Sequence, residues 1–206
     1  MVLTTLSACI SMRKKILQTE PKADSFIVLT SALLHDIDDH KMGTGGNETQ
    51  RFLSTLNLDS QTTQKILNTV RAIGFSNSGA TPEFETLEQK IVSDADKLDA
   101  MGTMGILRTV MFSVSVNRPL FDPEIFPEKN LTPAVYKDMH RKTNTAINHF
   151  FDKLLKLKNA LQTPAAQKMG QERHAFMITF LQHFFAENNC PDWQDYLDDY
   201  LKMNKL

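Results

Sequence analysis

Phe26-Ile27-Val28-Leu29-Thr30-Ser31-Ala32-Leu33-Leu34 runs straight into His35-Asp36-Ile37-Asp38-Asp39-His40, and this junction decides how the chain is read. The first part is apolar on all sides at helical spacing, and a helix with no polar face is a central, buried one. Asp24 or Ser25 is placed to cap its start. At its far end the chain turns abruptly to imidazoles and carboxylates, which are costly to leave beside a core unless something pairs with them. Hard divalent cations want oxygen and imidazole donors held by rigid elements. His35 and Asp36 supply one of each. Neighbouring residues on a helix point about 100° apart, so both reach one ion only near a helix end, where the last carbonyls also carry partial negative charge.

Helical periodicity continues outward from this junction in both directions. Upstream, Leu3, Leu6, Ile10 and Leu17 share a face and predict a first amphipathic helix ending near Glu20-Pro21. Downstream, Gly43-Thr44-Gly45-Gly46 breaks the chain. It lacks the Gly-Lys-Ser/Thr ending of a phosphate-cradling loop and is a hinge. Phe52, Leu53 and Leu56 predict a short helix, and Ser60 caps another whose face carries Ile66, Leu67, Val70 and Ile73. Thr86 to Asp99 is the next helix, with Leu87, Ile91, Ala95 and Leu98 in one stripe. Gly102 and Gly105 interrupt before a helical segment from Ile106 to Val116. Pro119, Pro123, Pro127 and Pro133 make Asn117 to Thr143 an ordered loop or lid. Two long helices follow, one on Ile147, Phe150, Phe151, Leu154, Leu155 and Leu161, the other on Phe176, Phe180 and Phe184 with Met177 and Leu181. No strand pattern and no internal repeat interrupts this series. The fold class is all-α: a helical core over 1–116, the Pro-rich segment 117–143, and C-terminal helices over 144–206 completing the same domain.

The helix at 86–99 holds the second set of chemical groups. Asp94, Asp96 and Asp99 are expensive on an otherwise apolar helix unless a metal ion or Lys97 answers them. Asp94 shares the face of the apolar stripe, whereas Asp96 and Asp99 lie away from it. Asp94 is therefore the acid expected to point inward, toward His35 and Asp36.

The bulk properties narrow the function. The chain has 206 residues, 41% hydrophobic and 23% charged, with a formal net charge of -1. That balance gives no electrostatic reason for a nucleic-acid or anionic-membrane partner. The apolar run from Phe26 to Leu34 is about half the roughly 20 residues needed to cross a bilayer. At the N-terminus apolar residues precede Arg13, Lys14 and Lys15, the reverse of a secretory signal. Cys9 and Cys190 make neither a disulfide framework nor a thiolate metal cluster, which points to a reduced, cytoplasmic protein.

Taken together, Ala32-Leu33-Leu34-His35-Asp36-Ile37 and Asp94-Ala95-Asp96-Lys97-Leu98-Asp99-Ala100-Met101-Gly102 resemble the signature of HD-domain metal-dependent phosphohydrolases. In particular they are similar to the small bacterial subgroup to which nucleotide hydrolysis is ascribed. Gly105-Ile106-Leu107-Arg108-Thr109 and the segment from Asn148 to Leu157 are similar to later motifs of that subgroup. The resemblance implies a helical bundle and a divalent metal ion (Mn, Mg, Co, Ni or Fe) held by a first histidine, a His-Asp pair and a later aspartate. His35 and Asp36 match the pair and Asp94 the later aspartate. No histidine precedes His35 to match the first; the segment that should carry it falls at Met1 to Leu6 or upstream. His40, one turn past Asp36, is a substitute in principle.

The same resemblance gives Asp39 the role of general base and makes Lys97 a partner for a metal-bound phosphoryl oxygen. Lys41, Arg108 and Lys153 are candidates for further phosphate contacts. Each has a plainer reading too: a solvated acid for Asp39, an ion pair with Asp94 or Asp96 for Lys97, ordinary surface or interhelix charges for Arg108 and Lys153. The implied partner is a small phosphorylated substrate of the nucleotide kind, with Asn117 to Pro133 a candidate lid or homodimer contact. Hydrolysis of a nucleotide or similar phosphoester or phosphoanhydride is the expected activity. The alternative is a catalytically impaired binding protein of the same fold that has lost one metal ligand.

Overall fold

A computed structural model describes residues 14–38, 47–75, 83–128 and 143–206, with 132 and 135 between them. The described residues are all-α, with no strand among them. Residues 14–19 are helical, and then come α1 (Ser25–Leu34), α2 (Glu48–Ser54), α3 (Ser60–Phe75), α4 (Leu87–Asp99), α5 (Gly102–Ser115), α6 (Ala146–Asp152), a 3₁₀ segment (Leu154–Ala160), α7 (Pro164–Glu187) and α8 (Pro191–Asn204). None of these helices is long and apolar enough to cross a membrane. The chain divides into two compact units, Met1–Asp96 and Lys97–Leu206.

In the first unit, α1 starts where the sequence signals it. The Asp24 carboxylate accepts from the amides of Phe26 and Ile27 at 2.9 and 3.3 Å, satisfying two donors that the helix leaves orphaned. Ile27 and Leu34 of α1 pack with Leu53 of α2 and Ile66, Leu67 and Val70 of α3. Each such side chain contributes roughly 1.5–3 kcal/mol on burial. The all-round burial expected of α1 does not hold, however: Phe26 and Leu33 are 49% and 46% exposed. For α3 the cap is Asp59 rather than Ser60, its carboxylate taking the Thr62 amide at 2.9 Å. α4 opens with a reciprocal capping box, Thr86 Oγ1 accepting from the Gln89 amide while Gln89 Oε1 accepts from the Glu85 amide at 2.8 Å.

The second unit is built around rings. Trp193 of α8 is 1% exposed, stacks on Phe126 with centroids 4.4 Å apart, and donates its indole N–H to the Pro123 carbonyl at 2.9 Å. The described part of the Pro-rich segment is thus ordered against α8. Residues 129–131, 133–134 and 136–142 lie outside the described residues. The long helix expected from Ile147 to Leu161 is interrupted: α6 ends at Asp152 and Lys153 leaves helical geometry (φ -138°, ψ -57°). The Phe151 carbonyl instead accepts from the Tyr200 hydroxyl at 2.6 Å, which competes with an onward helical bond. On α7 the buried stripe is Ala166, Gly170, His174, Met177, Leu181 and Phe185, so Phe176, 47% exposed, lies outside the face expected of it.

Gly102 and Gly105 do not interrupt a helix; they begin one. Gly102 sits at φ +70°, where a side chain is strained, and a Cβ on Gly105 would lie 2.3 Å from the Ala100 carbonyl oxygen. The two glycines let the chain turn sharply from α4 into α5.

Candidate functional site

Two helices of the first unit deliver the acid and imidazole groups, and they are tied at both ends. At their starts, Glu88 Oε1 of α4 accepts the Asp24 amide at 2.9 Å. At their other ends, His35 Nε2 lies 3.6 Å from Asp96 Oδ1. α1 and α4 therefore run side by side in the same direction, which brings the His35-Asp36 junction level with the last turns of α4.

His35 is the residue that ends α1. Its ring is 11% exposed, with Nδ1 3.0 Å from the Ala32 carbonyl oxygen. A carbonyl oxygen only accepts, so Nδ1 carries a proton and donates it. In the neutral ring that leaves the Nε2 lone pair directed at two carboxylates, Asp36 Oδ1 at 3.2 Å and Asp96 Oδ1 at 3.6 Å. Lone pair facing carboxylates is repulsive; a proton on Nε2 or a cation among the three groups relieves it. The donor set, one imidazole nitrogen with hard oxygens at a helix C-terminus, suits a divalent metal ion. Among the described residues no group of three or more His, Cys, Asp or Glu side chains is drawn together closely enough to form a metal cage.

Asp94 is wholly buried, at 0% exposure, in an α4 face shared with Ile91, Val92, Ala95 and Leu98. Asp96, two residues on, is about half exposed. Two residues turn a helix through about 200°, so one acid must face inward and the other outward. Asp96 nevertheless comes within 3.6 Å of His35, a contact the apolar stripe gave no reason to expect. The helix pairing that makes this contact spans from Asp24 to Glu88, a separation no local pattern reveals.

Asp99 also departs from the outward position expected of it. It is 3% exposed and takes the guanidinium of Arg108 from the next helix, α5. Arg173 of α7 donates to the Leu98 carbonyl, capping the C-terminus of α4, and Asp99 lies close enough to act on its charge. Burial holds the Arg173 guanidinium below its ordinary value, with Asp99 pulling the other way. Arg108 thus enters an intrachain ion pair, with its side chain still 49% exposed. Lys97 sits half-buried in the last turn of α4. Lys153 lies in the second unit, at the break between α6 and the 3₁₀ segment. Asp39, Lys41 and His40 lie outside the described residues.

Asp38 has a role the sequence did not disclose. Its carboxylate accepts from the Glu48 amide at 2.7 Å and from the Thr49 amide at 3.3 Å. It caps α2 from across residues 39–46, in place of Asn47, whose side chain makes no cap bond. Negative charge at a helix start is favourable, and this one holds both ends of the segment carrying Asp39 and Lys41.

No family model matches the chain. YpgQ of Bacillus subtilis (strain 168) is 31% identical to it over 166 residues, 78% of this chain and 72% of that protein. The solved structure of YpgQ in complex with ADP superposes with a TM-score of 0.68 at 26% identity, covering 89% of this chain and 87% of that one. A solved structure from Lactobacillus plantarum gives a TM-score of 0.76 at 30% identity, covering 90% and 86%. An HD-superfamily hydrolase from Bacillus thuringiensis gives 0.69 at 27%, covering 90% and 85%.

Proposed function

The chain belongs to the family of YpgQ, with an HD-like fold, and from that premise we propose that it is a metal-dependent phosphohydrolase acting on a nucleotide or similar small phosphoester or phosphoanhydride. One observation carries this reading: an imidazole whose Nδ1 is held by the Ala32 carbonyl presents Nε2 to one carboxylate from the turn after α1 and one from α4. The likeness to a YpgQ structure containing ADP supports a nucleotide as the ligand class.

In this reading His35, Asp36 and Asp94 hold the divalent ion, and Asp96 stands beside them at the rim. The ion, when bound, supplies charge neutralisation on the phosphoryl oxygens. The protein groups do the rest. The Ala32 carbonyl fixes the tautomer and the tilt of the His35 ring. Asp39 takes the proton of the attacking water as general base. Lys97 neutralises a phosphoryl oxygen at the end of α4, and Lys41, Arg108 and Lys153 contact further phosphates.

The test is turnover of a nucleotide panel with Mn²⁺, Mg²⁺ or Co²⁺. The expected result is hydrolysis that Asp94→Ala reduces by more than the roughly 10–100-fold that losing an outer-shell partner of a metal costs. Absence of turnover with every metal, or turnover untouched by Asp94→Ala, overturns the reading. A second reading is a catalytically impaired binding protein of the same fold that has lost one metal ligand. Nucleotide binding by calorimetry without one-site metal binding distinguishes that case.

A further inference from the structure

α5 is buried on one face and apolar on the opposite, exposed one. Gly105, Ile106, Thr109 and Ser113 are buried, as a helix face packed on its own unit should be. Directly opposite, Met104, Leu107, Met111 and Val114 are 44%, 56%, 49% and 63% exposed. At 100° per residue these four fall within a stripe about 80° wide, the narrow seam of a helix that pairs with one other helix rather than the broad face of one packed on a core. Phe112, 49% exposed, borders the stripe on the Gly105 side.

We propose that this outward face of α5 is a dimer interface, in which a second copy of the chain lays its own α5 antiparallel across it. Three features select a second copy. The first is the spacing: positions 104, 107, 111 and 114 are separated by 3, 4 and 3 residues, a pattern identical when read backwards. Under a two-fold axis passing by position 109, Leu107 falls opposite Met111 of the other copy and Met104 opposite Val114, so the seam is complementary to itself, as an isologous contact requires. The second is charge. Arg108 is the one charged residue of α5, and it is neutralised within its own chain by Asp99; the two-fold contact therefore brings no unanswered like charges together. The third is area. The exposed parts of these five large side chains leave roughly 450 Å² of mainly apolar surface per chain; twice that lies near the ~1,000 Å² at which specific interfaces begin, the size of a weak, reversible pair. The inference is independent of the hydrolase reading, since no residue of the proposed metal site takes part.

The test is the mass of the full-length protein in solution from about 1 to about 100 μM, by sedimentation or by light scattering after gel filtration. The expected result is a dimer that Leu107→Glu/Met111→Glu converts to monomer while leaving helical circular dichroism and the thermal midpoint unchanged. Met104→Lys is a second, independent disruption. In a Cys9→Ser/Cys190→Ser background, a short bis-maleimide is expected to join Leu107→Cys to Met111→Cys in a mixture faster than it joins either variant to itself. A monomer throughout the concentration range, a dimer indifferent to all three substitutions, or preferential self-joining of each cysteine variant overturns the proposal.

Discussion

At the scale of single residues, the groups that matter are those whose surroundings leave no latitude. A methyl group on Gly105 would meet the Ala100 carbonyl at 2.3 Å, backbone against backbone with no flexible side chain to yield. Gly105→Ala is expected to cost about 1–3 kcal/mol, the range for overpacking, read as a lower urea midpoint. Arg108→Ala separates two roles of that residue. As partner of the buried Asp99 its loss costs about 2 kcal/mol of stability; as a phosphate contact its loss raises KM. A lowered midpoint with unchanged KM assigns it to structure alone. His174 is 3% exposed and pushed down to about 4, by burial first and then by the Lys158 ammonium, with the Leu155 backbone acting the other way. In the unfolded chain the same imidazole titrates near 6.5. Between pH 6.5 and 4 the unfolded state therefore holds the extra proton, and stability falls as the pH drops through that window, by on the order of 3 kcal/mol in all. Urea midpoints at pH 7.5 and 4.5 measure it, and His174→Gln is expected to flatten most of the difference.

At the scale of elements, caps and breaks explain both what the sequence discloses and what it hides. α1, α3 and α4 are legible because their apolar stripes are periodic and their caps are local: Asp24 and Thr86 act within three residues of themselves. His35 and Asp36 stand out as possible ligands for the same reason, a sharp local change from apolar to polar. The break after α6 is hidden, because the group that competes for the Phe151 carbonyl is Tyr200, on another helix. Asp96 beside His35 and Asp99 beneath Arg108 are hidden likewise, since each is fixed by a helix-to-helix contact and not by its neighbours in sequence. Tyr200→Phe is expected to lower stability by about 1 kcal/mol through the lost hydrogen bond and to leave the helix content almost unchanged. Asp38→Ala uncaps α2 and is expected to cost about 1 kcal/mol. Faster amide exchange confined to Glu48 and Thr49 and their turn is its signature; uniform exchange across the unit contradicts the capping role.

At the scale of the molecule, the two units have different interiors. The first is aliphatic, from Ile27 to Val70; the second gathers Phe121, Phe126, Phe151, Phe185, Trp193 and Tyr196 into one ring cluster. Trp193 is the single tryptophan of the chain, so its fluorescence reports the second unit, while far-ultraviolet circular dichroism reports helices of both. α4 runs unbroken from Leu87 to Asp99 across the division between them, and a helix cannot melt on one side of a peptide bond without fraying on the other. The two signals are therefore expected to share one urea transition. Two separate midpoints would show that the units unfold independently.

The carboxylate of Asp38 clasps the start of α2 and so fastens together the two ends of the stretch between them. What such a clasp permits is variation in length: for a strand tethered at both ends, doubling the number of residues adds only about 0.6 kcal/mol of closure entropy. Adding or removing a few residues between Asp38 and Glu48 is therefore expected to cost little stability as long as this carboxylate–amide contact is kept.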